Sequence, residues 1–336
     1  MSSCVTSFEN LCFHWIDVCD REKFQTKLGQ NGGVAVNEEV LYSKIKGGLY
    51  GVAVGDALGG TTEFMSQREI KAQHGYLREI IGGGVWRLAP GEVTDDTMMT
   101  LCVAEGILEN PAEPMEPIGR LFLEWYNSRP KDIGNIIRHV FESYEGNWFE
   151  AAFYAHADLG QSAGNGSLMR CLPAALAYGD SADMERVTLM QSKMTHYDPR
   201  CGEACLIYNR IAARLLRGED LRSAIFAETA GTEYEGLFET APDCEPSGFV
   251  VHTFRWVLHI LLHSADFSEV VQRAANLGGD SDTIGAIAGG LAGIHYGYEA
   301  IPARYAESIL INDRLDRAIS GLWSLRTSAS ERGKEK

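Results

Sequence analysis

The 336-residue sequence has no apolar run that approaches the roughly 18 residues of a membrane-spanning helix. Near its start, Glu9, Asp17 and Asp20 interrupt the apolar residues, so the continuous apolar stretch of a signal peptide is missing. The remaining composition, with 45% hydrophobic and 23% charged residues, is that of a soluble folded protein. We therefore expect a cytoplasmic protein with a sizeable buried core.

Basic residues are in the minority. There are 30 Lys and Arg against 46 Asp and Glu, which gives a formal net charge of −16. Such a surface repels phosphate backbones and argues against general nucleic-acid binding. An anionic ligand has to be held locally, by backbone N–H groups, helix N-termini or metal ions.

Cysteines are present without the spacing of a metal finger. The eight cysteines form no CxxC pair. Cys201 and Cys205 are four residues apart, on one face of a predicted helix, and this leaves a zinc pair open. Because matching ligands are missing, we favour reduced, mostly buried thiols.

Segments with the alternating pattern of strands are rare, and helical spacing runs through most of the chain. Apolar residues at three- and four-residue spacing predict helices over Leu41–Leu49, Met98–Leu108, Ile118–Trp125, Ile133–Phe141, Met184–Met194, Cys201–Leu216, Val250–Leu262 and Ile284–Tyr296. The fold class predicted is therefore all-α, in a single compact domain.

The N-terminal region differs from the body. Residues 8–19 place Phe8, Leu11 and Trp15 on one helical face, and a glycine-rich joint follows at residues 29–33. Two interpretations of this short helix stay open: it docks on the body, or it is an arm that contacts another protein. The predicted division of the chain is an extension at 1–37, a body at 38–327 and a polar tail at 328–336.

Two acidic clusters begin predicted helices. One is Thr94-Asp95-Asp96-Thr97, and the other is Asp280-Ser281-Asp282-Thr283. Helix capping accounts for one such residue at each start. Carboxylates crowded together would repel each other unless cations lay between them. Carboxylate and hydroxyl oxygens without His or Cys select hard cations such as Mg²⁺, Mn²⁺ or Ca²⁺.

Two glycine-rich segments accompany the clusters. In Gly47–Gly60, glycines at four-residue spacing allow close helix approach, and Asp56 lies at the helix end, before Glu63. Neither a strand context nor GxGxxG spacing is present, so a Rossmann loop is disfavoured. Gly164–Arg170 predicts a turn that opens a helix and presents free N–H groups, which suits a diphosphate.

The motifs GDALG, GxxTDDT, GNGSLMR, THYDP and GGDSDT follow one another along the chain. In this order they resemble the ADP-ribosylglycohydrolase family over roughly residues 44–310, and segments 82–88, 128–135 and 169–176 are similar to its dinitrogenase reductase-activating branch. The resemblance implies an all-α fold, two divalent ions, and removal of ADP-ribose from modified protein side chains, arginine in that branch.

The same resemblance implies roles for individual residues. The metal ligands, for Mg²⁺ or Mn²⁺, would be Thr94, Asp95, Asp96, Asp280, Asp282 and Thr283. Glu63 matches a mobile-loop glutamate near the metals, and Asp132 and Asn135 match residues at the scissile ribose. The diphosphate and ribose would be held by Gly164, Asn165, Gly166, Ser167 and Met169. His196 would lie alongside the ADP-ribose, and Phe249 would stack on adenine.

One of these residues also has a simpler interpretation, and one residue of the branch's pattern is missing from its expected place. Without the resemblance, His196 is typical of a satisfied histidine at a helix end. The acidic residue that the branch places just before its glycine loop falls near Gly160–Gln161 here, so that contact is either lost or supplied by Asp158.

The reaction implied is hydrolysis of the N-glycosidic bond between ribose and arginine, through an oxocarbenium-like state. Asp132 is our candidate for proton transfer, Glu63 is the alternative base, and Asp96 completes the catalytic set. Arginine linkage is favoured over serine linkage and over O-acetyl-ADP-ribose as substrate.

A second class of function is an immunity or binding protein that occludes a cognate ADP-ribosyltransferase through its N-terminal arm, alone or together with hydrolysis. A catalytically inactive relative is disfavoured because all six expected metal positions are intact.

Overall fold

The computed structural model describes residues 37–334, and within that range every regular element is a helix. The β-type pairing in this range consists of two isolated antiparallel bridges, Gly83 with Leu88 and Gly164 with Phe249. The predicted all-α fold class is thereby confirmed. The predicted helix at residues 8–19 and the glycine-rich joint lie outside the described residues, and the division of the chain into extension, body and tail stays a prediction.

The helices of the described range are, in chain order, α1 (Glu38–Gly59), α2 (Gln67–His74), α3 (Asp95–Glu109), α4 (Met115–Asn127), α5 (Asn135–Glu142), α6 (Trp148–Leu159), α7 (Leu172–Ala177), α8 (Ser181–Lys193), α9 (Pro199–Leu216), α10 (Leu221–Thr229), α11 (Val250–Leu262), α12 (Phe267–Ala275), α13 (Ser281–Tyr296), α14 (Ala303–Ala306) and α15 (Asn312–Lys334). A single 3₁₀ turn, Tyr298–Ala300, follows α13.

Most of the polar helix starts carry an ordinary N-cap. The side chains of Asn37, Asp180, Asp198 and Asp220 each accept a hydrogen bond from a backbone N–H in the first turn of the helix that follows. In α9 the cap is followed by Pro199, which suits the first helical position because its missing N–H would have no intrahelical partner there.

Helices α1 and α13 are in direct backbone contact. A Cβ atom at Gly47, Gly51 or Gly55 would lie 2.2, 2.1 or 1.9 Å from the carbonyl oxygen of Gly293, Gly289 or Gly285, respectively. The prediction that the α1 glycines allow close helix approach is confirmed. The order of these contacts shows that the two helices run antiparallel, with the end of α1 beside the start of α13.

This antiparallel pair positions the candidate site. The start of α13 carries the second acidic cluster, and the start of α3 carries the first. Helix α13 also packs against α11 and α12, and α3 packs against α4 and α7. The acidic ends of α3 and α13 are therefore held by a surrounding shell of packed helices.

The described cysteines are unbridged. Cys102, Cys171, Cys201 and Cys205 are buried free thiols, as expected. Within residues 37–334, the one cluster of three candidate metal-ligating side chains contains no cysteine. No helix of the same range has the length and hydropathy needed to cross a bilayer.

Candidate active site

Asp56 joins the end of α1 to the start of α3. Its carboxylate is fully buried and accepts hydrogen bonds from the backbone N–H groups of Thr94 (3.0 Å) and Thr97 (3.1 Å) and from the Thr97 hydroxyl (2.5 Å). The Thr97 N–H is one that a helix's own N-cap side chain normally satisfies, and the Thr94 N–H belongs to the N-cap residue itself. Burial raises the pKa of Asp56 to about 6, and the hydrogen bonds from Thr97 and Thr94 oppose that rise.

The residues at the N-cap positions of α3 and α13 do not cap their helices. Neither Thr94 nor Asp280 makes a side-chain capping hydrogen bond. The Thr94 hydroxyl instead donates to Asp96 Oδ2 at 3.3 Å, and Asp280 Oδ2 accepts from the Asn165 amide at 2.5 Å. Ordinary capping therefore does not account for these two residues, whose side chains face the acidic centre.

The two acidic clusters meet in space. The Thr283 hydroxyl donates to Asp96 Oδ2 at 3.3 Å, which links the start of α13 to the start of α3. Asp96 and Asp282 each have a buried oxygen, Oδ1, with no hydrogen-bond partner in the described residues. Two buried carboxylate oxygens without donors are costly unless a cation satisfies them.

Burial also shifts the acidity of these groups. Loss of water contact, with a smaller contribution from neighbouring carboxylates, raises the pKa of Asp95 to about 7 and holds the pKa values of Asp96 and Asp282 well above the ordinary range. The pKa of Asp280 is raised by burial as well. The cluster is thus built to hold protons or cations, and not as a set of free carboxylates.

Glu63 and Asp132 lie beside this cluster. Carboxylate oxygens of Glu63, Asp132 and Asp282 are all within 4.8 Å of one another. The Trp86 indole N–H donates to Glu63 at 2.5 Å. Burial first, and then nearby acids, raise the pKa of Glu63 to about 8 and that of Asp132 to about 9. The structure thus brings together the two residues expected to transfer protons.

The loop that carries Glu63 is fixed to the start of α13. Phe64 has a left-handed backbone, with φ of +61°, and donates its N–H to the Gly279 carbonyl at 2.7 Å. Gly279 in turn donates to the Met65 carbonyl at 3.0 Å. Such strain at a residue without glycine's freedom persists only where the surroundings enforce it. These two hydrogen bonds place Glu63 relative to Asp280.

The loop that carries Asp132 is fixed to the first cluster. The Gly134 N–H donates to Asp95 Oδ2 at 3.1 Å, and the Lys131 ammonium lies 2.7 Å from Glu92 Oε2. Asn135, three residues beyond Asp132, is exposed at the first position of α5. The structure thus places Asp132 inside the cluster, whereas Asn135 is exposed at the start of α5.

The segment Gly164–Arg170, here called the glycine loop, is a series of turns. Sequence alone predicted a turn that opens a helix, and this was wrong in detail, because α7 begins only at Leu172. Asn165 anchors the loop by donating its N–H to the Gly248 carbonyl and its amide to Thr253 and Asp280. Among the described residues, the N–H groups of Gly166 and Ser167 have no acceptor, as the expected anion-binding loop requires.

Two expected substrate contacts on the glycine loop have side chains that point inward. The Ser167 hydroxyl is fully buried and bonds to the Ser192 hydroxyl at 2.9 Å. The Met169 side chain is buried in the core. The Ser167 hydroxyl therefore makes its hydrogen bond within the protein interior. The backbone N–H groups of the loop stay available to a ligand.

Phe249 is placed beside the glycine loop by its bridge with Gly164, and its ring is partly buried. The Arg200 guanidinium lies 5.2 Å from the ring centroid, and the His252 ring packs edge-on at 4.9 Å. Asp158 is exposed on α6 and lies 3.2 Å from His139. The structure describes no contact between Asp158 and the glycine loop.

His196 is buried beneath the glycine loop. A Cβ atom at Gly164 or Gly166 would come within 3.2 or 3.0 Å of the His196 ring, so the ring packs closely against the backbone of the loop. Burial and the Arg170 guanidinium lower the pKa of His196 to about 3, which keeps the ring neutral. The interpretation as a satisfied helix-end histidine accounts for Nδ1, which bonds to Thr195 at 2.8 Å, but leaves Nε2 without a partner in the described residues.

Sequence reasoning left several structural participants out of the site. Asp56, Trp86, Thr97 and Arg170 all lie within the motifs described above, but the motifs alone assign no role to any of them. Only Asp56 carried a usable signal, as a single acid at the end of a glycine-rich helix. The other three make contacts that depend on tertiary structure: Trp86 with Glu63, Thr97 with Asp56, and Arg170 with Gly166.

The donor set fits divalent cations. The two helix starts meet through the hydrogen bond of Thr283 to Asp96, and Asp282 lies within 4.8 Å of Glu63 and Asp132. One oxygen each of Asp96 and Asp282 has no hydrogen-bond donor among the described residues. Oxygen-only donors of this kind favour Mg²⁺ or Mn²⁺ over softer metals.

This chain is similar in sequence and in fold to known proteins. The family model described as ADP-ribosylglycohydrolase matches residues 37–332. The ADP-ribosyl-[dinitrogen reductase] glycohydrolase of Rhodospirillum rubrum is 36% identical over 271 residues, which cover 80% of this chain and 91% of that protein. The ADP-ribosylarginine hydrolase Tri1 of Pseudomonas putida is 30% identical over 326 residues, covering 90% and 84%. A solved structure of an ADP-ribosylglycohydrolase-related protein complex superposes with a TM-score of 0.72, at 30% identity, covering 85% of this chain and 99% of that chain.

Proposed function

The chain belongs to the ADP-ribosylglycohydrolase family, and from this premise we propose that it hydrolyses the N-glycosidic bond between ADP-ribose and an arginine side chain of a modified protein. Two similar proteins carry names that point to this linkage or to a protein substrate, the hydrolase for ADP-ribosylarginine and the glycohydrolase for dinitrogen reductase. The observation that carries the proposal is the meeting of Glu63, Asp132 and Asp282 within 4.8 Å at the joined starts of two helices.

The family is metal-dependent, and we propose that this chain holds two divalent cations, Mg²⁺ or Mn²⁺. Their ligands would be Thr94, Asp95, Asp96, Asp280, Asp282 and Thr283. The unpartnered Oδ1 atoms of Asp96 and Asp282 support this assignment. Bound cations supply Lewis-acid polarisation and orientation of oxygen atoms at the reacting centre.

The substrate is held from two sides. The free N–H groups of Gly166 and Ser167 bind oxygens of the diphosphate, because adjacent backbone donors favour an anion. The protein's net charge of −16 makes such local donors necessary. Phe249, which bridges to Gly164, supports the adenine end, and Asn135 borders the ribose that is attached to arginine.

Asp132 holds the proton that the leaving nitrogen of arginine takes. Burial raises the pKa of Asp132 to about 9 in the metal-free protein, and a raised pKa favours the protonated form that a general acid requires. The C1″–N bond breaks as C1″ gains oxocarbenium character, and a water oxygen then bonds to C1″. Glu63, whose pKa burial raises to about 8 in the metal-free protein, would be the base of the pair once bound cations favour its carboxylate form, and it accepts the proton that this water loses. The products are free ADP-ribose and an unmodified arginine.

The proposal is tested with an arginine-ADP-ribosylated protein as substrate. We expect release of ADP-ribose by the purified chain, loss of release in EDTA, and recovery when Mg²⁺ or Mn²⁺ is added in excess. Mass spectrometry of both products checks that the arginine is restored. Release that continues undiminished in EDTA would exclude the metal-dependent mechanism, and no release with either ion would exclude the activity.

Linkage is tested by measuring release from serine-linked and arginine-linked substrates side by side. The similarity of segment 128–135 to the arginine-directed branch leads us to expect the higher kcat/KM with arginine linkage. O-acetyl-ADP-ribose serves as a third substrate in the same assay. Faster release from serine or from the acetyl ester would assign the chain to a different substrate class.

A further inference from the structure

Arg170 is a fully buried arginine that has no carboxylate partner among residues 37–334. Its Nε donates to the Gln191 side-chain oxygen at 3.0 Å, its Nη1 donates to the Gly166 carbonyl at 3.1 Å, and its Nη2 donates to the Gln191 carbonyl at 3.0 Å. The Phe122 ring lies 4.7 Å from the guanidinium carbon. Arg170 therefore ties the glycine loop to the end of α8.

One further donor bond of Arg170 reaches Thr195. The distance from Nη2 to the Thr195 hydroxyl oxygen is 2.6 Å, and arginine has only donors, so the hydroxyl accepts. The same hydroxyl lies 2.8 Å from His196 Nδ1. Thr195 is buried, and its hydroxyl has no other acceptor among the described residues.

These bonds determine the position of the hydrogen on His196. If Nδ1 carried a hydrogen, the Thr195 hydroxyl would accept from two donors, and its own hydrogen would be buried without an acceptor. Such a group is costly in a protein interior. The Thr195 hydroxyl therefore donates to Nδ1, and in the neutral imidazole the hydrogen is on Nε2.

The Nε2 atom lies at the glycine loop. It would be 3.2 Å from a Cβ atom at Gly164 and 3.3 Å from one at Gly166. His196 is only 2% exposed as a residue, and no residue of the described range accepts a hydrogen bond from Nε2, which lies against the glycine loop. An N–H at this position has no protein acceptor and is open to a ligand oxygen.

We propose that Arg170 and Thr195 are positioning residues that fix His196 with its hydrogen on Nε2, so that this N–H donates to an oxygen of bound ADP-ribose at the glycine loop. The naming of ADP-ribose as the ligand rests on the proposed function, whereas the tautomer rests on the hydrogen bonds alone. The loop thus offers a side-chain donor in addition to the two free N–H groups of Gly166 and Ser167.

The tautomer is read directly from the ligand-free protein. Long-range ¹H–¹⁵N correlation spectra of uniformly ¹⁵N-labelled protein distinguish the two neutral tautomers and the imidazolium. The chain has nine histidines, and the His196→Gln variant identifies the resonances of His196. We expect the pattern of the Nε2–H tautomer at pH 7. A hydrogen on Nδ1, or on both nitrogens, would overturn the proposal.

The role of Thr195 is tested with three variants. Thr195→Val keeps the shape of the side chain but removes the hydroxyl, so we expect the KM for ADP-ribosylarginine and the Kd for ADP-ribose to rise about tenfold, with kcat nearly unchanged. Thr195→Ser restores the hydroxyl and should restore both values. Thr188→Val, at a buried threonine inside α8, is the matched control and should leave both values unchanged.

The outcomes separate this inference from the proposed function. Unchanged ADP-ribose binding in folded Thr195→Val would refute the positioning role even if hydrolysis is confirmed. Failure of the wild-type protein to bind ADP-ribose would refute the proposed function and the ligand named here, while the spectrum of the ligand-free protein still decides the tautomer. Circular dichroism of each variant establishes that it is folded.

Discussion

At the scale of single residues, the acidic centre combines groups with distinct tasks. Asp282 has a buried oxygen without a donor among the described residues and lies within 4.8 Å of Glu63 and Asp132. Without a cation, its carboxylate repels the neighbouring carboxylates. With a cation, the same carboxylate serves as a ligand. Its removal should therefore damage chemistry much more than folding.

We predict that Asp282→Ala or Asp96→Ala lowers kcat by roughly a hundredfold or more, because each loses a hard oxygen ligand. Far-ultraviolet circular dichroism should remain that of the wild type. Asp313→Ala, at an exposed position of α15, is the control and should hydrolyse normally. Full activity in either site variant would contradict the assignment of that residue.

Asp56 illustrates a residue that acts through its neighbours. It accepts the N–H groups at the start of α3, and this leaves the Thr94 side chain free to face the acidic centre. We predict that Asp56→Asn weakens Mn²⁺ binding by roughly 10- to 100-fold, as is usual for residues that orient metal ligands. Titration calorimetry with Mn²⁺ measures the change. Wild-type affinity in this variant would show that the orientation of Thr94 does not depend on Asp56.

The raised pKa values predict how pH affects the metal-free protein. Glu63 and Asp132 have folded-state pKa values of about 8 and about 9, above their ordinary values of 4.5 and 3.8. At a pH between the ordinary and the raised pKa of each residue, the folded state binds more protons than the unfolded state. The free energy of unfolding therefore falls as pH rises.

We therefore expect the Tm of EDTA-treated protein to decrease from pH 6 to pH 9, and saturating Mn²⁺ to reduce that decrease because cations replace the lost protons. Asp132→Asn should flatten the dependence in EDTA. A Tm that rises over the same interval would show that these acids are ionised in the folded metal-free protein.

At the scale of secondary-structure elements, the contact between α1 and α13 is the most restrictive part of the fold. A Cβ atom at Gly51 would lie 2.1 Å from the Gly289 carbonyl oxygen, and backbone atoms cannot move aside as a side chain can. We predict that Gly51→Ala lowers the free energy of unfolding by about 3 kcal/mol. Urea denaturation measures the change.

Gly202→Ala provides the control for that prediction. Gly202 is also inside a helix, but its added Cβ would meet only the Leu189 side chain, at 3.1 Å. Since alanine favours helices more than glycine does, this variant should be at least as stable as the wild type. Equal destabilisation of the two variants would show that direct backbone contact between α1 and α13 does not set the cost.

The helices that sequence periodicity predicted are those whose large apolar residues form the buried face, such as Val250–Leu262. Helix α6, Trp148–Leu159, escaped prediction because its buried face consists of Ala151, Ala152 and Ala155, whereas Phe153 and Tyr154 are exposed. Periodicity of large residues therefore carries no information about which face of α6 packs inward.

Some features of the candidate site were likewise predictable from the sequence, and others were not. The acidic residues at the starts of α3 and α13 were predictable because motif, spacing and charge agree. The inward orientation of Ser167 was not, because it depends on Ser192 from a distant helix. The role of Arg170 likewise depends on Gln191 and Thr195, which no local pattern connects to the glycine loop.

At the scale of the whole molecule, the family match begins at residue 37 and the first described helix begins at Glu38. We predict that a chain lacking residues 1–33 folds, hydrolyses ADP-ribosylarginine with a kcat close to that of the full chain, and keeps its Tm. Thermal denaturation and the release assay measure both properties. A marked loss of either would show that the N-terminal extension supports the body.

The backbone contact between α1 and α13 also limits how the protein can diverge or be redesigned. Where side chains separate two helices, a larger residue on one can be offset by a smaller residue on the other. At Gly47, Gly51 and Gly55 the opposing atoms are main-chain carbonyls, so no smaller partner exists and no second substitution can compensate for the first. The loops at 61–66, 82–92, 128–134, 160–170 and 244–249 lie outside this helix pair, and a mutant library confined to them leaves the contact between α1 and α13 intact.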